Sequence, residues 1–318
     1  MVALAFAALL AVAPMQVPPP APQSPPANAP AAAEEPADLG EIEVTGRRLD
    51  DMIRSFVGEV ADPVPRRGLA RWDDRMCVGV ANLKAEPAQY IIDRVSSVAL
   101  ELGIVPGEPG CSANLLIIAS SDPAGLARTL VSQRGRAFRI GGSGMDQGGA
   151  ALENFVASTA PVRWWQVSMP TDSATGAWAT RIPGECNNAC AEAADMAPNI
   201  DVFAASRLRT QVVNYIFRTV VILDIDQVSR VSAQQLADYV AMVALAQIDP
   251  NAATHEYASI LNVFDAPDRV ASLTNWDRAY LQGLYAAERT DKNLGAGRSE
   301  IVRSIHAAHR QLQAGEDD

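Results

Sequence analysis

The sequence lacks a membrane-length apolar run at its start. The opening stretch MVALAFAALLAVA, residues 1–13, is apolar throughout but falls short of the about 20 residues that a bilayer-crossing helix needs. Its length matches the apolar region of a secretory signal peptide, which predicts an exported, periplasmic or secreted protein. No Lys or Arg precedes the run, and Pro14 follows Ala11-Val12-Ala13, where cleavage would otherwise fall, so a short uncleaved anchor stays open as the alternative. No cysteine lies near this segment, which argues against a lipid-modified anchor. Basic side chains are also scarce. There are 26 against 37 acidic ones, a formal net charge of −11, and the only lysines are Lys84 and Lys292. The average field repels phosphate backbones, so nucleic acid is not an expected partner.

Histidine numbers three and cysteine four, which limits the metal sites that can be assembled. Cys77, Cys111, Cys186 and Cys190 are even in number, and in an oxidising compartment such thiols pair. The expected pairs are Cys77 with Cys111 and Cys186 with Cys190, the second bracketing the short loop CNNAC. Structural zinc is the rival reading, but it favours two close cysteine pairs, whereas here there is one close pair and two distant singles. Apolar residues make up 48% of the chain and charged residues 20%, the composition of an ordinary globular protein.

The organisation expected along the chain is a signal-like segment at 1–13, a Pro/Ala-rich disordered spacer at 14–71, a globular domain at 72–313 and a short disordered tail at 314–318. Proline and alanine dominate residues 14–36 and favour extended segments without a buried core. Within the spacer, EIEVTGRR at 41–48 alternates like a strand. In the globular part, CVGVANL and NLLIIAS read as strands, each followed by a helix, over 87–103 and 123–133; this is a βαβα beginning. VRWWQVSM reads as a strand, and RTQVVNYIFRTVVILDID, rich in β-branched residues, as one long strand or two paired ones. Ser232 and Thr274 each open a capping box, the first before a strongly apolar helix read as central, and a last helix is expected over 298–313. The fold class is therefore α+β, a mixed sheet with packed helices and a helical C-terminal third.

Several motifs are weighed against plainer roles. GGSGMDQGG, 141–149, lacks the Gly-Lys-Ser/Thr ending of a phosphate loop, and Met145 breaks a Gly-x-Ser-x-Gly elbow; a surface loop or a covering flap remains. Asp224 and Asp226, read as two apart on a strand, share one face and suit a cation or a wet sheet edge. His306 and His309 share a helix face, but no third ligand is visible, and His255 stands apart. Arg163, Trp164 and Trp165 offer an aromatic and cationic platform for a sugar or peptide, or a core tryptophan with a half-covered neighbour. No complete catalytic set and no metal-ligand set can be assembled, so no cofactor is expected.

The motifs VRWWQVS, LADYVAMVALAQID, SILNVF and LTNWDRAYLQGLY, spread over 162–288, resemble a family of secreted proteobacterial proteins of unknown function with a zincin-like, metallopeptidase-like fold. The resemblance implies a zincin-like C-terminal half whose central helix would carry His-Glu-x-x-His. Here the comparable residues are Ala237-Asp238-Tyr239-Val240-Ala241. Both ligand positions are alanine, and a methyl group cannot coordinate zinc. The implied protein is a non-catalytic binding or scaffolding protein of the cell envelope. The alternative is an envelope hydrolase acting on peptides or glycans near Trp164 and Asp224. EIEVTGRR is also similar to the box by which TonB-dependent receptors touch TonB, which implies an envelope protein or peptide partner recruited by strand addition.

Overall fold

Apolar runs long enough to be buried on both faces supply the centre of the sheet. In this computed structural model, which describes residues 46–138, 145–180, 200 and 206–315, LLIIAS forms β4 (Leu115–Ser120). It lies between β2 (Val78–Ala81) and the long β6 (Val212–Asp224). β5 (Val162–Asp172) completes the four-stranded order β2-β4-β6-β5. The first three strands run parallel and β5 is antiparallel to β6, so the sheet is mixed, as expected. Register pairs Val80 with Ile117, Ile118 with Ile222 and Trp165 with Val220, and slips at Val167/Ser168. A separate parallel pair joins β1 (Arg75–Met76) to β3 (Val105–Pro106).

Strand alternation sorts side chains to two helical layers. Ile117, Val221 and Leu223 face a large core with α2 (Ala85–Glu101), α7 (Ala233–Leu245), α8 (Asn275–Ala286) and α9 (Leu294–Ala314). Val220, Ile222 and Trp165 face a smaller core closed by α3 (Pro123–Gln133), α4 (Gly135–Phe138) and α5 (Gly149–Ala157). Both expected capping boxes form. Ser232 Oγ accepts from Gln235 N while Gln235 reaches back to Ser232 N, and Thr274 pairs likewise with Asp277. α8 and α9 approach closely at Gly283, where an added Cβ would lie 2.4 Å from the Ile305 backbone. Among the described residues, no helix is long and apolar enough to cross a membrane.

Two expectations need correction. Order does not begin near Trp72, because α1 (Gly46–Val60) precedes it and buries Ile53, Phe56, Val57 and Val60 completely or nearly so. Their spacing is that of one helical face, and each buried side chain contributes about 1.5–3 kcal/mol relative to exposure. Phe56 meets the rings of Tyr257, Trp276 and Tyr280 edge-on, with centroids 4.8–5.5 Å apart. The spacer expected over 14–71 thus includes a core helix and a packed segment, and Gly46–Arg48 are helical rather than strand-like. Residues 14–45 lie outside the described residues. The second correction concerns Asp224 and Asp226. β6 ends at Asp224, and Asp226 belongs to α6 (Ile225–Val228), so the two carboxylates do not share a strand face. The short helix forms because Asp224 caps it.

Candidate functional site

The residues singled out on the central helix are packing residues. Ala237, Asp238 and Ala241 on α7 are all 0% exposed, and the two methyl groups join the larger core. Asp238 Oδ1 accepts from Arg94 Nε on α2, and Oδ2 accepts from the Leu273 main-chain N–H at 2.9 Å. The hydrogen bond to Asp238 is the main reason the Arg94 guanidinium stands above its ordinary pKa. The carboxylate therefore ties α2 and the approach to α8 onto α7, and both of its oxygens are engaged.

The aromatic and acidic residues expected as a binding surface are distributed through the fold. Trp164 packs on the larger core and donates its indole N–H to Ile248 O at 3.2 Å; Trp165 lies in the smaller core and donates to Phe138 O at 2.8 Å. Arg163 is buried and donates to Val156 O and Phe155 O, at the end of α5, and burial lowers its pKa. Asp224 accepts from Gln227 Nε2 at 2.7 Å and from the N–H groups of Asp226 and Gln227. The Gln227 side-chain bond leads in holding its pKa down.

Cys77 and Cys111 form the expected disulfide, spanning 34 positions, while Cys186 and Cys190 lie outside the described residues, as do positions 141–144 of the glycine loop. His306 faces Asp50 at 3.5 Å and His309 meets the Trp276 ring edge-on. Burial, then the neighbouring His306, lowers the His309 pKa. Among the described residues, no three His, Cys, Asp or Glu side chains gather where they could hold a metal ion.

A cleft of about 990 Å³ opens elsewhere, and sequence reading did not foresee it. Its walls come from the segment after α1 within 61–69, the turn at 146–148, the start of β6, and the 288–292 loop leading into α9. The first wall is held by Gln247, whose Oε1 accepts from Ala70 N and whose carbonyl accepts from Asp62 N, and by Gln147 Nε2 donating to Asp62 O. Burial, and then the Asp249 carboxylate, raise the Asp62 pKa to about 6. At the tip of this wall Arg66 takes φ 67°, a left-handed conformation that costs a non-glycine residue on the order of 1 kcal/mol.

Among the described residues, cations outnumber carboxylates in the lining. Arg66, Arg67, Arg289, Lys292 and Arg298 face Asp146, Glu288 and Asp291. Glu288 and Asp291 both pair with Arg209. Among the described residues, none of the five cations forms an ion pair with a carboxylate. Arg67 donates to Asn214 Oδ1 and Arg289 to Asn214 O, each at 3.2 Å, and Arg289 lies over the Tyr215 ring with its Cζ 4.3 Å from the centroid. Burial lowers the Arg67 pKa. Arg71, just behind, is lowered to about 10 by burial first and by the charge of Arg289 second. Guanidinium groups thus stand close enough to repel one another. Val64, Leu69, Val212 and Ile301 add apolar side chains to the lining.

No protein-family model matches the chain, and neither a curated protein nor a solved structure does so.

Proposed function

We propose that the chain is a non-catalytic binding protein of the cell envelope that holds its ligand or partner in the cleft between the 61–69 segment and the start of α9. In this reading the helix comparable to a metallopeptidase zinc helix persists as a packing element. One observation carries it: Asp238, which stands at the place of a general base, spends one oxygen on Arg94 and the other on the Leu273 N–H, with methyl groups at both ligand positions. A general base needs an oxygen within reach of the proton it takes, and Asp238, 0% exposed and bonded at both oxygens, offers neither to an incoming water. The Cys77–Cys111 bridge supports an oxidising compartment, and the run of buried residues from Ala237 to Leu245 on α7 supports the likeness to a metallopeptidase core. The cleft, of a volume at the upper end of ordinary ligand sites, supplies what the helix does not.

The test is metal analysis of the purified chain after exposure to zinc and exhaustive dialysis. The expected result is no stoichiometric zinc. One zinc per chain, with a peptide- or glycan-hydrolysing activity lost on chelation, would overturn the reading.

A further inference from the structure

We infer that the cleft binds a ligand bearing two or more oxyanion groups, carboxylate or phosphate, held by Arg67 and Arg289, which share Asn214, and by Lys292 and Arg298. The inference rests on the binding-protein reading above and names its ligand class.

Three observations converge on it. Among the described residues, the lining carries five cations and three carboxylates, a local excess of positive charge in a chain whose net charge is −11. Acidic side chains are abundant in the sequence, yet two of the three in the cleft answer Arg209 instead. The five cations are left without carboxylate partners among the described residues.

The arginines are also positioned. Asn214 fixes Arg67 through its side chain and Arg289 through its carbonyl, and the Tyr215 ring supports the Arg289 plane from one side. Each guanidinium is a fork of N–H donors suited to a carboxylate or phosphate edge, and only part of each fork is used by Asn214. Half-burying a guanidinium is unfavourable, as the lowered pKa of Arg67 registers, and at Arg71 the charge of Arg289 adds a second cause behind burial. An oxyanion against Arg67 and Arg289 offsets that cost and gains charge-assisted hydrogen bonds.

The cations sit on separate segments, at 66–67, 289–292 and 298. Cations supplied from three segments suit a ligand that presents more than one anionic group. The apolar side chains in the lining suit a carbon framework joining those groups.

The experiment is a thermal melt of the purified chain titrated with citrate in one arm and inorganic pyrophosphate in the other. Sodium chloride at matched ionic strength is the reference, since screening alone shifts exposed charges. A ligand that binds only the folded state raises the melting temperature progressively with concentration. The expected result is a saturable rise in at least one arm, identifying the preferred oxyanion. In a Lys292→Gln/Arg298→Gln variant, whose altered side chains are exposed so that the fold is retained, the apparent affinity falls about tenfold, the loss of one good charged contact. No rise beyond sodium chloride in either arm, or an equal rise in the variant, would sink the inference. Either of those outcomes, with no zinc retained after dialysis, leaves the binding-protein reading standing, whereas retained zinc with activity strikes that reading itself.

Discussion

Arg67 and Arg289 are anchored to the same residue: one donates to the Asn214 side-chain oxygen and the other to its main-chain carbonyl. They are 222 positions apart in a chain of 318, by subtraction of their numbers, and meet because β6 begins between the segment after α1 and the loop before α9. A strand that forms the middle of the sheet thereby also sets two cations at the mouth of a cleft. The rigid element carries the positioning, and the loops carry the charge.

Asp238 is expected to matter for stability. Replacing it with alanine strands the Leu273 N–H and removes the partner of Arg94, which is itself 23% exposed at the side chain. Breaking a buried ion pair from one side costs about 3–5 kcal/mol, and the partial exposure of Arg94 places this case near 3 kcal/mol. Asp238→Asn retains an acceptor for the Leu273 N–H and loses less. Urea unfolding of both variants measures the order; an asparagine variant as unstable as the alanine one contradicts it.

Gly283→Ala separates two opposing effects. In a helix interior alanine is favoured over glycine by about 1 kcal/mol. Here the new methyl would stand 2.4 Å from the Ile305 backbone, and overpacking of that kind costs about 1–3 kcal/mol or more where main chain must give way. The clash is expected to win, and the variant should melt below the natural chain. A higher melting temperature would mean that α8 and α9 separate easily.

Asp62 predicts a pH dependence. Its pKa rises from 3.8 to about 6 on folding, so between those values the folded state binds more protons than the unfolded one, and stability falls as pH rises through that window. Asp62→Asn removes this titration. The variant should therefore gain on the natural chain as pH goes from about 4 to 6, read as the difference between their melting temperatures. A difference that stays constant across that range contradicts the assignment.

Much of the fold was legible because periodicity and capping are local. The 123–133 helix was expected at the limits it takes, both capping boxes form, and the β-branched run at 212–224 is one strand. α1 was missed because the proline-rich composition upstream was carried past its limit, although Ile53, Phe56, Val57 and Val60 already marked a helical face. Asp226 was misplaced because nothing local announced that Asp224 would turn the chain into a helix by capping it. The cleft was not legible in the same way. Arg66 and Arg67, Asn214, and the Arg289 to Arg298 region come from three distant stretches, and only tertiary structure brings them together. Lys292, one of two lysines, carried no weight as a composition fact and takes its meaning from its neighbours.

The most direct measurement follows the arginine Nε–H signals by nuclear magnetic resonance while citrate or pyrophosphate is added. Arg67 and Arg289 are expected to shift with saturation, while Arg94, paired with Asp238 and absent from the cleft lining, stays in place. Shifts confined to Arg94 and the backbone of α7, with Arg67 and Arg289 unmoved, would return the function to the central helix and contradict the account.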